Sequence, residues 1–200
     1  MWTWGAHDNT PAGWVLTGLY GIAGALSWAC ALTASRPREG VKTASAVYPA
    51  CAFWAVAGVA LLALGANKQF DFQTALVRWG RSALIRLGEY RYRTWIELAV
   101  VAALSVAAVV TLCAGWRIAR AQGPAYQLSL LGWGLLAAFI VLRAIPFPKI
   151  APQWAPSPWL RNRMEAAALM IIIAGALWAL ARIQTAGRPV SQPHGERKSL

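Results

Sequence analysis

Acidic side chains are scarce in this chain: seven Asp and Glu stand against nineteen Lys and Arg in 200 residues. Histidine is scarcer still. His7 and His194 are the only two and lie at opposite ends, so no pair of imidazoles can meet inside an apolar span, which excludes haem held by paired intramembrane histidines. The three cysteines, Cys30, Cys51 and Cys113, fall within apolar runs, match no zinc-ligand spacing and read as small packing residues rather than a disulfide framework. A phosphate loop, a dinucleotide fingerprint, HExxH and a nucleophile elbow are all missing. The sequence therefore names no catalytic residue, no metal and no cofactor, and the reading leans away from an enzyme.

Apolar length is what the chain has in abundance. Hydrophobic residues make up 58% of it, and they gather in five runs, residues 13–34, 46–66, 95–115, 126–146 and 164–181. Each has about the 20 residues that a helix rising 1.5 Å per residue needs to cross a hydrocarbon core of about 30 Å. Hydrocarbon offers no water to unpaired backbone groups, so these runs are predicted to be α-helices. The expected fold is an all-α integral membrane bundle of five transmembrane helices, a single domain over residues 1–183, with a polar, disordered tail over residues 184–200. No Lys or Arg precedes the first run, and it is longer than a usual signal core, so it reads as a retained helix.

The net charge of +12 would fit nucleic acid if the cations lined one soluble face. They sit instead between the apolar runs and in the tail, where anionic headgroups and topology require them, so membrane lipids are the expected partners and nucleic acid is not. With the amino terminus outside, nine cations fall on each side of the membrane, and the positive-inside rule does not choose. The uncharged-to-acidic first twelve residues and the long second loop favour an amino terminus outside.

Local patterns refine this outline. Gly18, Gly21, Gly24 and Ala25 in the first run are the small residues that let a neighbouring helix approach closely in lipid. Residues 74–88 place Leu76, Val77, Leu84 and Leu87 on one helical face, with Arg78, Arg81 and Ser82 mostly on another; Trp79 and Ile85 depart from the pattern. This predicts an interfacial amphipathic helix between the second and third spans. Arg117, Arg120 and the turn signal Gly123-Pro124 read as a short loop after the third span, and five prolines over residues 146–158 read as an extended connection before the fifth. Of twelve tryptophans, Trp14, Trp95, Trp116 and Trp159 suit interfacial belts, whereas Trp28, Trp54, Trp133 and Trp178 fall within spans.

Topology brings the polar residues together whichever side is which. The end of span two, the start of span three, the end of span four and the start of span five must meet one membrane face. Asn67, Lys68, Gln69, Asp71, Gln73, Glu97, Arg143 and Glu165 therefore share it. A charge at the bilayer centre costs about 2.5–3.5 kcal/mol on insertion scales and much less near a helix end, so Arg143 reads equally as a snorkelling cation or as part of a site. On the second reading Lys68, Asp71, Glu97, Arg143 and Glu165 are mutually hydrogen-bonded and bind an anionic headgroup.

The run Leu64-Gly65-Ala66-Asn67-Lys68-Gln69-Phe70-Asp71-Phe72-Gln73 resembles the L-G-I-N-K-Q-L-D-L-Q motif that follows a hydrophobic span in a family of small, uncharacterised bacterial membrane proteins. The resemblance extends to Leu142-Arg143-Ala144-Ile145 with Phe147, and to Asn162 with Glu165. It implies a multi-pass protein of the bacterial inner membrane and supplies no activity. Where that family carries S-F-H-H-V-D after the arginine, this chain reads Pro146-Phe147-Pro148-Lys149-Ile150-Ala151, without the two histidines or the acid. Two functions stay open. One is an accessory or structural subunit packing against a membrane-protein partner or a second copy; the other is an enzyme or carrier that holds an anionic lipid or small amphiphile in the polar pocket. A transporter has less support, because no inverted repeat or pair of broken helices is visible.

Overall fold

A computed structural model of the chain describes residues 10–35, 44–70, 79–80, 82, 84–86, 88, 90–144 and 157–185. Five long helices carry it: α1 (Pro11–Ala34), α2 (Ala44–Phe70), α3 (Arg93–Gln122), α4 (Pro124–Ala144) and α5 (Pro158–Thr185), with a 3₁₀ turn, Tyr90–Tyr92, leading into α3. No strand occurs among the described residues. All five helices are long and apolar enough to cross a membrane, as an integral multi-pass protein requires.

The helix ends follow from local chemistry. Thr10 caps α1, its hydroxyl accepting from the Gly13 N–H at 3.1 Å, with Pro11 at the first helical position. Ser157 does the same for α5 through the Leu160 N–H at 3.2 Å, again followed by proline. That cap starts the fifth helix at Pro158, six residues before the apolar run begins. Arg161 and Arg163 thus lie on the helix, and the Arg163 guanidinium stacks on the Trp159 ring 3.7 Å from its centroid.

The third helix corrects the expected loop around Arg117 and Arg120. Both arginines are helical, and α3 runs on to Gln122. Arginine is a good helix former whose stem can lie along apolar surface, so charge alone does not end a span. The stop is the single residue Gly123, at φ 107°, whose N–H still reaches the Ala119 carbonyl at 3.0 Å before Pro124 opens α4. A Cβ is strained at that φ. Gly123→Ala is expected to lower stability by about 1–2 kcal/mol, read as a reduced melting temperature in mild detergent; an unchanged value would show that the hairpin relaxes freely.

The helices pack in the order α2, α1, α5, α4, α3, with a light touch between α2 and α3. Close approach is made by glycine. Gly24 and Gly58 face each other across α1 and α2, and Gly132 and Gly175 bring the backbones of α4 and α5 together. Gly18 and Gly21, expected to serve the same purpose, have open space where a Cβ would be. Two buried clusters result. One holds Leu16, Tyr20, Leu61, Leu136, Phe139 and Ile172; the other, at the opposite end of the bundle, holds Cys30, Trp54, Tyr126 and Leu130. Trp54 is fully buried between Phe53 and Tyr126, with ring centroids 5.1 and 5.2 Å away, whereas Trp14, Trp95, Trp116 and Trp159 are exposed, as are Trp28 and Trp178 within the spans.

Of the expected interfacial helix, helical conformation is described at residues 79–80, 82 and 84–86; residues 71–78 lie outside the described residues. So do residues 186–200, most of the expected tail.

Candidate functional site

The amino-terminal halves of α1 and α5 meet the last turn of α2 at one end of the bundle. Glu165 sits two turns into α5 and is only 3% exposed. A carboxylate so placed is costly unless something balances its charge. Lys68, two residues from the end of α2, does so: its Nζ lies 2.9 Å from Glu165 Oε2, with a side chain 7% exposed. The second carboxylate oxygen accepts a 3.0 Å hydrogen bond from the Tyr20 hydroxyl of α1. One carboxylate thereby ties three helices, with a donor on each oxygen.

The next residue serves a different contact. Successive helical positions are rotated by about 100°, which turns Gln69 away from Lys68. Gln69 Nε2 donates to Thr17 Oγ1 on α1 at 2.8 Å, while the Thr17 hydroxyl donates to the Gly13 carbonyl at 3.0 Å. With the Thr17 hydroxyl donating to Gly13, Thr17 Oγ1 is left to accept from the Gln69 NH₂. Gly65, one turn earlier, allows the approach: a Cβ there would stand 2.9 Å from Tyr20 Cβ.

The structure thus brings Lys68 and Glu165 into contact and sets Gln69 beside them on the neighbouring helix face. Asn67 is half-buried in the same turn. Asp71 and Gln73 lie outside the described residues; Glu97 lies on α3 and Arg143 on α4, but their side chains also lie outside them. Sequence reasoning missed Thr17 and Tyr20. A signal was available, since both hydroxyls interrupt an apolar run three residues apart, the spacing of one helical face.

No family model matches this chain, and no curated protein or solved structure matches it either.

Chemically, the triad joins α1, α2 and α5, the ammonium donating to one carboxylate oxygen and the phenol to the other. Among the described residues no cluster of three or more His, Cys, Asp or Glu could hold a metal ion. Cys30, the most buried thiol, donates to the Ala176 carbonyl at 3.4 Å and acts as a packing residue.

Proposed function

We propose that the protein is a non-catalytic accessory or scaffold subunit of the bacterial inner membrane, with its amino terminus outside. Its α1–α2–α5 core holds shape, and α3 is the face that meets a membrane-protein partner. The reading rests on how unevenly the spans are covered. About 6% of the third span is buried within the chain, against 33–39% of each of the others.

The uncovered side of α3 has a particular composition. Val101, Ser105, Ala108, Leu112 and Ala119 form its half-buried to buried face. Opposite it, over about 100° of the circumference at 100° per residue, the exposed residues Ile96, Ala99, Ala103, Val106, Ala107, Val110, Ala114, Arg117 and Ala121 form one face, mostly of Ala and Val. Helix association in lipid depends on close van der Waals packing, and small residues at spacings of four are what permit it. A span that served only to face acyl chains would have no need of small side chains along its outermost line. The buried Lys68–Glu165 pair supports the same reading, because it spends the most conspicuous charges on internal structure.

Gentle extraction from native membranes is expected to yield a stoichiometric partner. Ala103→Leu with Ala107→Leu should release that partner while leaving the melting temperature of the isolated protein unchanged. Recovery of wild type as a lone species, or retention of the partner by the double variant, would overturn the reading.

A further inference from the structure

The outward face of α3 ends in a charge. Ala103, Val110 and Arg117 are spaced by seven residues, two helical turns less about 20°. Arg117 therefore stands on the same line as the apolar residues opposite the buried face, and its side chain is exposed. Arg120, also exposed, is turned about 80° from Val110 and flanks that face. The third span runs from Leu98 to Gln122, and Arg117 lies about 28 Å along it, near the edge of a hydrocarbon core of about 30 Å.

In the isolated chain the Arg117 guanidinium reaches headgroups and water at that level. A helix laid along Ala103 and Val110 covers it. A cation withdrawn from water is costly unless a carboxylate balances it. Among the described residues Arg117 makes no ion pair, and Glu165, the one carboxylate whose side chain is described, is buried against Lys68 at the opposite end of the bundle. Glu97, the acid of α3 itself, is about 30 Å away along the helix.

We propose that the occupant of the α3 face is a helix of a different membrane protein carrying an Asp or Glu at the level of Arg117. This rests on α3 being the partner face, and it adds what the partner must bring. Charge complementarity selects the acid, because the covered arginine finds no counter-charge on its own chain among the described residues. It also selects against a second copy. Copies of one chain insert with the same orientation, so two α3 helices packed on this face run parallel and set Arg117 against Arg117, where like charges repel.

The native Cys113, exposed one turn before Arg117, is the place to attach a probe. Full-length protein carrying Cys51→Ala is labelled there with a benzophenone maleimide in native-membrane vesicles, illuminated, purified through an affinity tag, and its adducts are sequenced by mass spectrometry. The expected adduct is a span of another protein with an Asp or Glu within about one turn of the cross-linked residue. Its yield should fall about tenfold in Arg117→Glu and persist in Arg117→Lys. Arg120→Glu removes the same charge at the same membrane end but off the face, and should leave the yield unchanged. Equal losses in Arg117→Glu and Arg120→Glu would mean that both arginines serve headgroups, and would overturn the proposal. Adducts joining two copies of this chain, or a cross-linked span without an acid, would overturn it as well. A protein adduct that survives Arg117→Glu would remove the acid yet leave α3 an interface, whereas lipid adducts alone on the Arg117 protein would remove both.

Discussion

Glu165→Gln is expected to destabilise the protein by about 3–5 kcal/mol, and Lys68→Met by a similar amount, while the double variant Lys68→Met/Glu165→Gln recovers most of the loss. The reasoning is one of desolvation. In the wild type the Lys68 ammonium and Glu165 carboxylate, 2.9 Å apart, neutralise each other in a water-poor position. Removing either charge leaves the other buried and uncompensated, which is far worse than having neither. The glutamine is chosen because its side-chain carbonyl can still accept from the Tyr20 hydroxyl, so the double variant breaks the ion pair and keeps the contact to α1. For a chain of this length each kcal/mol shifts melting by roughly 2–4 °C. Thermal unfolding followed by fluorescence-detected gel filtration should show the single variants falling roughly 10 °C and the double variant close to wild type. Single variants that melt within a degree or two of wild type would mean that both charges reach water and that the three helices are held by packing alone.

The second large effect is expected at the α4–α5 crossing. A Cβ on Gly132 would stand 2.7 Å from Ile172 Cγ1 and 2.9 Å from both the Ala168 carbonyl oxygen and the Ile172 nitrogen. On Gly175 it would stand 2.8 Å from the Ser129 nitrogen and 3.0 Å from the Ala125 carbonyl oxygen. Four of these five contacts are with backbone, which cannot rotate out of the way, so the helices must separate. Gly132→Ala and Gly175→Ala should each cost about 1–3 kcal/mol, and the valine variants more. Gly24→Ala tests the argument from the other side. Its Cβ also comes within 2.8 Å of a neighbour, but that neighbour is the Leu62 side chain, which can turn aside, so the cost should be small. Gly18→Ala, Gly21→Ala and Gly134→Ala meet nothing within 4 Å and should be neutral, or gain up to about 1 kcal/mol of helix propensity. The ranking, measured by denaturation in detergent, is the prediction; a flat series would show that glycine spacing does not set the crossing.

These contrasts also mark what the sequence can convey. Five helices were legible because apolar runs of about 20 residues, with at most one charged residue each, have few alternatives in hydrocarbon. That Lys68 and Glu165 share one end follows from counting crossings, with no knowledge of packing. Helix ends were less legible, because Arg117 and Arg120 look like loop residues yet continue α3, while Ser157-Pro158 starts α5 ahead of its apolar run. Least legible was helix rotation. A span apolar around its whole circumference has no polar face to orient it, so the sequence did not distinguish Gly24, which packs, from Gly18 and Gly21, which do not. For the same reason Tyr20 could not be matched to Glu165, although its hydroxyl was visible in an otherwise greasy run.

The order of synthesis gives the Lys68–Glu165 pair a further consequence. Ninety-seven positions separate the two residues, and the carboxylate belongs to α5, which leaves the ribosome after the other four helices described. Until that helix emerges, the ammonium lacks Glu165, its counter-ion among the described residues, and stays among lipid headgroups, keeping the first hairpin loosely seated. Emergence of α5 is thus the event that draws the second helix to its final depth, and a chain released before it would leave the ammonium at the headgroups.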